Sequence, residues 1–190
     1  RQRIMFRVRP SLLLVLGVAL LVGSCHYTQP GEEADYLPGT GPLPTIGSKG
    51  PAVPRNWAPR TEARPWRYIV IHHSATEEGG ALAFHSMHTQ KGWDELGYHF
   101  VIGNGSGSAD GQVEVGSRWA KQKWGAHTKS EDGHFNQFGI GICLVGNFEQ
   151  TRPTDAQWES AVRLVAFLMD RYDIKPENVL GHRDCKPTLC

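Results

Sequence analysis

Arg67-Tyr68-Ile69-Val70-Ile71-His72-His73 is the stretch that decides the fold of this chain. Residues 67–72 form a short apolar run rich in β-branched side chains, the pattern of a buried strand. Downstream, residues 81–90 read as a short helix ended by Gly92, and residues 98–102 as a second strand. A Gly/Ser/Asp turn region at 103–111 leads to a third strand at 112–115. Residues 138–145 make a fourth, in which Gly139 and Gly141 mark a close approach of backbone or ligand. The clearest helix starts at Thr154, which forms a capping box with Gln157. Trp158, Ala161, Val162, Val165, Phe167, Leu168 and Met169 then give it one broad apolar face, and Pro176 follows its end near Tyr172. Residues 178–181 are a last strand that delivers His182. Strands alternating with helices around a covered sheet predict an α/β domain over residues 65–190, with no internal repeat.

The segments before this domain have a different character. Arg1, Arg3, Arg7 and Arg9 precede an apolar stretch, residues 11–22, that is too short to span a bilayer comfortably. It ends in Leu21-Val22-Gly23-Ser24-Cys25, which resembles a bacterial lipobox. That resemblance implies a lipoprotein signal peptide over residues 1–25, lipidation of Cys25 and a membrane anchor. His26, where an inner-membrane retention signal has Asp, points to the outer membrane facing the periplasm. Residues 26–64 interleave proline with glycine and keep no apolar periodicity, so a tether is expected there. Acidic and basic residues nearly balance, at 19 against 20, and no basic face stands out, which argues against a nucleic-acid partner.

The chemistry-bearing residues are His72, His73, His182 and Cys190. Imidazole and thiolate suit a borderline-soft ion such as zinc, and a catalytic zinc site uses three protein ligands and keeps an open position. Adjacent strand residues point to opposite faces, so only one of His72 and His73 faces a given site. Periodicity does not choose between them. His182 and Cys190 stand eight positions apart, with Pro187 between them to help fold the chain back. The competing reading is a disulfide, since exported proteins meet an oxidising compartment. With Cys25 acylated, three thiols remain, which permits Cys143 with Cys185 or Cys185 with Cys190.

Ile69-Val70-Ile71-His72-His73-Ser74-Ala75-Thr76, Gly97-Tyr98-His99-Phe100-Val101-Ile102-Gly103, Gly125-Ala126-His127-Thr128, Gly139-Ile140-Gly141-Ile142, Val145-Gly146-Asn147-Phe148 and Gly181-His182-Arg183-Asp184 through Cys190 occur in that order. Together they resemble the type 2 N-acetylmuramoyl-L-alanine amidases, a superfamily that includes phage lysozyme-type amidases and peptidoglycan recognition proteins. The resemblance implies a central mixed β-sheet flanked by helices, with a zinc site in a surface groove. It assigns the ligands to His72, His182 and Cys190, and catalytic assistance to Tyr98 and Thr188. One branch carries Glu after the Ile-Gly-Ile motif, where this chain has Cys143, so the Tyr98/Thr188 version of the site is expected. Members usually continue past the third ligand, so the domain is expected to be truncated at its C-terminus.

The activity implied is zinc-dependent hydrolysis of the amide bond between N-acetylmuramic acid and L-alanine, in peptidoglycan or its fragments. The alternative is a receptor or sensor that binds peptidoglycan without cutting it. His127 is read as a substrate contact in a loop lining the groove, against a structural role for that loop. Trp93 and Trp124 are candidates for the groove wall, and Asp184 for orienting a ligand or closing a turn. His85, His88, His99 and His134 are read as packing or surface residues. The chain is expected to act as a monomer in the cell envelope.

Overall fold

In the computed structural model, which describes residues 52–190, the decisive apolar run forms β1 (Tyr68–His73). It lies between β4 (Gly139–Leu144) and β5 (Val179–Gly181) and runs parallel to both. Beyond β4 come β2 (Phe100–Ile102), parallel to it, and β3 (Val113–Val115), antiparallel to β2. The order β3-β2-β4-β1-β5 makes a five-stranded mixed sheet. Parallel neighbours need long crossovers. Helix α1 (Ala81–Gln90) lies on the connection from β1 to β2, and the longest helix, Asp155–Tyr172, on that from β4 to β5.

Period-two alternation sorts the apolar residues onto two faces. Ile69, Phe100, Ile102, Ile140, Ile142 and Leu144 pack with Trp57, Trp119, Leu164 and Leu168 in the larger core. Val101, Cys143 and Val145 turn the other way, onto Phe84 and Leu96. The sheet is therefore covered on both sides, as a buried central strand requires. Three short helices were not foreseen: α2 (Ser117–Ala120), α3 (His134–Phe138) and α5 (His182–Cys185). Each is too short to display a helical period. With these numbered, Asp155–Tyr172 is α4 in chain order. The strand expected at 98–102 begins only at Phe100, and Tyr98 stands just before it.

The domain also starts earlier than its composition indicated. Residues 52–64 were assigned to the tether, yet Trp57 is buried in the larger core. Its carbonyl accepts from Trp119 Nε1 at 2.9 Å, and Arg163 sits over its ring while donating to Ala52 O at 2.7 Å. A single large aromatic outweighs the surrounding prolines here, because its burial is worth more than the local composition can cost. Residues 1–51, including the targeting segment, Cys25 and the rest of the tether, lie outside the described residues.

Helix α4 is fixed at its start by side chains. Thr154 Oγ1 accepts from Gln157 N at 3.0 Å, and Thr154 N donates to Gln157 Oε1 at 3.2 Å, completing the capping box. The same Gln157 amide donates to Ile102 O and Val145 O, so one buried side chain joins the helix to β2 and to the residue after β4. The buried stripe is Gln157, Ala161, Leu164 and Leu168. Trp158, Val162, Val165 and Met169 instead line an apolar cavity of about 460 Å³ beside Ile71 and Val179. Thr154→Ala should lower stability by about 1 kcal/mol. Thermal unfolding should show a drop of roughly 4 °C, and an unchanged midpoint would remove the cap from the account.

Candidate metal centre

Ile71 pairs with Gly181 across β1 and β5. The next residues, His72 and His182, therefore stand at the same level where both strands end, with ring centroids 4.3 Å apart. Cys190 returns from the 186–190 tail to place its Sγ 3.8 Å from His72 Nδ1. Ligand atoms of His72, His182 and Cys190 all lie within 4.8 Å of one another. Both ring nitrogens of His182 are buried with no hydrogen-bond partner among the described residues. Buried polar nitrogens are costly in that state, and a cation shared with a second imidazole and a thiolate would answer it. The donor set is that of a three-ligand zinc site with one position open.

Electrostatics favour ligating protonation states at the imidazoles. Burial holds the His72 pKa well below its usual value, with help from His127, His182 and His73. Burial, then Lys186 and His73, lower that of His182. Both are then neutral near pH 7, the form that coordinates a metal. Burial raises the Cys190 thiol, a shift that a coordinated divalent ion reverses.

His73 points to the opposite face and does different work. Its Nδ1 accepts from Phe148 N at 2.8 Å, its Nε2 lies 3.1 Å from Leu189 O, and its ring stacks on Phe148. The His73 backbone N–H donates to Cys190 Sγ at 3.3 Å. Arg183, paired with Glu149, also reaches the Leu189 and Cys190 carbonyls. The tail that carries Cys190 is thus held by the sequence neighbours of His72 and His182. All three described cysteines are free, so neither Cys143 with Cys185 nor Cys185 with Cys190 is paired. Cys143 is walled into the sheet, whereas Cys190 faces the histidines.

The Tyr98 ring lies 5.3 Å from that of His72. Burial, with the Cys143 and Cys190 sulfurs beside it, pushes its phenol well above the usual range, so it remains a proton-bearing donor. Thr188 Oγ1 accepts from Cys190 N at 3.3 Å, which supports the tail and leaves its hydrogen free. Asp184 accepts from Gly181 N at 2.7 Å and so closes the turn into α5 rather than orienting a ligand. His127 departs from its expected place on the groove wall. It is buried behind His72, with Nδ1 3.0 Å from His72 Nε2, because glycines at 125 and 141 leave it space inside the sheet layer. Trp93 and Trp124 are both exposed.

Sequence reasoning missed the frame behind Tyr98. Arg118, fully buried in α2, donates to Leu96 O at 2.7 Å and Trp124 O at 2.9 Å and pairs with Asp94. His85 and His88 accept from Leu96 N and Gly97 N, and His99 accepts from Gly141 N and sits 3.0 Å from Lys123 O. His85 and His88 thus satisfy backbone groups of the loop that delivers Tyr98, and His99 ties β4 to the segment after α2. Of the four read as packing or surface residues, His88 and His99 are buried, while His85 and His134 are half-buried, the latter paired with Asp132.

Residues 62–190 match the family model described as N-acetylmuramoyl-L-alanine amidase. The chain belongs to this family. It is 30% identical over 171 residues to peptidoglycan-recognition protein SA of Drosophila melanogaster, covering 81% of this chain and 73% of that protein. It is 32% identical over 131 residues to the endolysin of Enterobacteria phage T3, covering 64% of this chain and 78% of the endolysin. Among solved structures, the N-acetylmuramoyl-L-alanine amidase LysC from Clostridium intestinale URNW superposes with a TM-score of 0.56 at 28% identity, over 66% of this chain and 77% of that one. The mixed sheet flanked by helices is thus the amidase fold that the sequence resemblance implied.

The buried histidines give the amidase domain a defined response to acid. Burial pushes His99 down to about 4, against about 6.5 for an unfolded imidazole. The unfolded chain therefore takes up protons first, and the stability held above pH ~6.5 is lost as pH falls towards ~4, by about 3 kcal/mol for this residue. His127, pushed by burial and then His99 to about 3, adds in the same direction. Burial raises Glu95, but hydrogen bonds from Lys123, Ser117 and Lys121 outweigh it and bring it down to about 2, so its loss falls at lower pH. Denaturant unfolding of metal-free protein should show stability declining between these limits. A flat profile there would mean that the imidazoles are not buried neutral.

Proposed function

We propose that this protein is a zinc-dependent N-acetylmuramoyl-L-alanine amidase, cutting between the lactyl group of N-acetylmuramic acid and L-alanine in peptidoglycan or its fragments. The observation that supports this most is the convergence of His72, His182 and Cys190 with both His182 nitrogens unpartnered. Amide hydrolysis is slow because the carbonyl is a weak electrophile and water a weak nucleophile. Zinc, when bound, polarises the carbonyl and lowers the pKa of water from ~15.7 towards ~7.

The chain's own residues supply the rest. His72 and His182 would hold the ion through neutral nitrogens and Cys190 through its sulfur, which the bound cation would hold as thiolate. Tyr98 keeps its proton and donates a hydrogen bond to the oxyanion that develops on the scissile carbonyl. Thr188 contributes a second donor from the tail. The exposed Trp93 and Trp124 offer apolar faces to sugar and peptide. Lipidation of Cys25 would hold the domain at the outer membrane, facing the polymer it cuts.

A second reading is binding without turnover, favoured by the similarity to a peptidoglycan-recognition protein. Elemental analysis of the purified protein together with a peptidoglycan digest separates the two. One zinc per chain and released stem peptide are expected, both lost in Cys190→Ala. Tyr98→Phe should keep its zinc and lose activity by roughly 10²–10³-fold. Muropeptide binding without stem-peptide release, unchanged in Cys190→Ala, would establish the receptor instead.

A further inference from the structure

His127 is a buried imidazole with a fixed chain of partners. Its Nε2 lies 3.2 Å from Gly139 O. A carbonyl oxygen only accepts, so the hydrogen of a neutral His127 sits on Nε2 and its Nδ1 is bare. That bare Nδ1 is 3.0 Å from His72 Nε2. Two ring nitrogens at this distance need one proton between them, and only His72 has one to offer. His72 is then the Nε2–H tautomer, and its lone pair lies on Nδ1, the atom 3.8 Å from Cys190 Sγ. Thr128 Oγ1, 3.4 Å from His72 Nε2 and 2.9 Å from His127 Nδ1, is compatible with this arrangement, since a hydroxyl can accept from the first and donate to the second.

The surroundings are shaped for this ring. A Cβ on Gly125 would come within 2.2 Å of His127 Cδ2, and one on Gly141 within 2.4 Å. The backbone N–H groups of His127 and Thr128 both donate to Asn136 Oδ1, at 2.9 and 2.8 Å. Gly141, which the sequence marks as a close approach, and Gly125 thus admit a histidine, and an asparagine locks its backbone.

We infer that His127 is a positioning residue that relays the Gly139 carbonyl to His72, fixing the tautomer that directs the His72 Nδ1 lone pair into the ligand cluster. A partner on the second nitrogen of a metal-bound imidazole sets which nitrogen coordinates. Here a second histidine carries that instruction from the backbone. The consequence for affinity rests on the zinc reading above; the tautomer itself does not.

The test uses the full chain labelled with ¹⁵N-histidine and stripped of metal, above the imidazole pKa. Long-range ¹H–¹⁵N correlations should show His72 protonated at Nε2. In His127→Phe, which removes the acceptor, His72 should move to a tautomer mixture, and zinc affinity against a chelator should fall roughly 10–100-fold. His127→Gln, whose amide oxygen can accept from His72, should recover most of both. An Nδ1–H tautomer of His72 in the wild-type metal-free protein overturns the relay whatever the variants do, including a His127→Phe that fails to fold. An Nε2–H signal and an affinity that both persist in folded His127→Phe also overturn it. An Nε2–H tautomer in a wild-type chain that binds no zinc would support the relay while removing the zinc reading.

Discussion

The parallel pairing of β1 with β5 is the constraint on which the site depends. Ile71 opposite Gly181 places His72 and His182 side by side although they are far apart in sequence. A one-residue slip would turn one histidine to the other face and separate the ligands. β1 has a second parallel neighbour in β4, and hydrophobic layers fix the sheet from both sides, so the register is specified by burial. Both histidines then occupy the carboxyl ends of parallel strands, where open α/β sheets place their ligand sites. The fold brings two members of the candidate cluster together by register alone, and only Cys190 has to be brought by a loop.

Behind those ligands the interior is polar but satisfied. His127, Gln157 and Arg118 are buried, and each is bonded to backbone carbonyls. Each is costly to bury alone, and each joins elements that apolar packing would leave free to slide. Arg118 ties the loop before Tyr98 to the loop carrying Trp124, and Gln157 ties α4 to the sheet. Among the described residues Arg64 Nε and Ser108 Oγ are also buried without a partner, but only His182 leaves both nitrogens of one ring unpartnered, beside a second imidazole and a thiol.

The sheet and its two long helices were legible because their periods repeat. β1, β4 and α4 each carry enough apolar residues to declare their geometry, and Thr154 with Gln157 declared the helix start. Shorter pieces were not, since a four-residue helix such as Ser117–Ala120 completes barely one turn. The ligands were readable as residue types, but the choice between His72 and His73 was not, because alternation separates the faces without naming the one that bears the site. It took the family resemblance to choose. Trp57 was hidden by the prolines around it, and Arg118 acts largely through backbone carbonyls, which leave no pattern in side-chain identity; His127 was singled out by its motif, but its burial behind His72 was not readable.

The adjacent histidines show how one strand serves two purposes through the same alternation. His72 faces the ligand cluster, while His73, one residue on, holds the returning tail through Leu189 and Phe148. Its backbone N–H meets the Cys190 sulfur directly, so a single dipeptide positions both His72 and Cys190 of the candidate cluster. The contacts on the 186–190 tail are few and partly exposed, in contrast to the buried register that fixes His72 and His182. On the zinc reading, ordering this tail and binding the metal are one coupled equilibrium, because the thiolate reaches the site only when the tail is seated. Loosening His73 would therefore weaken the site without removing a ligand, whereas losing His72 would remove the ligand itself.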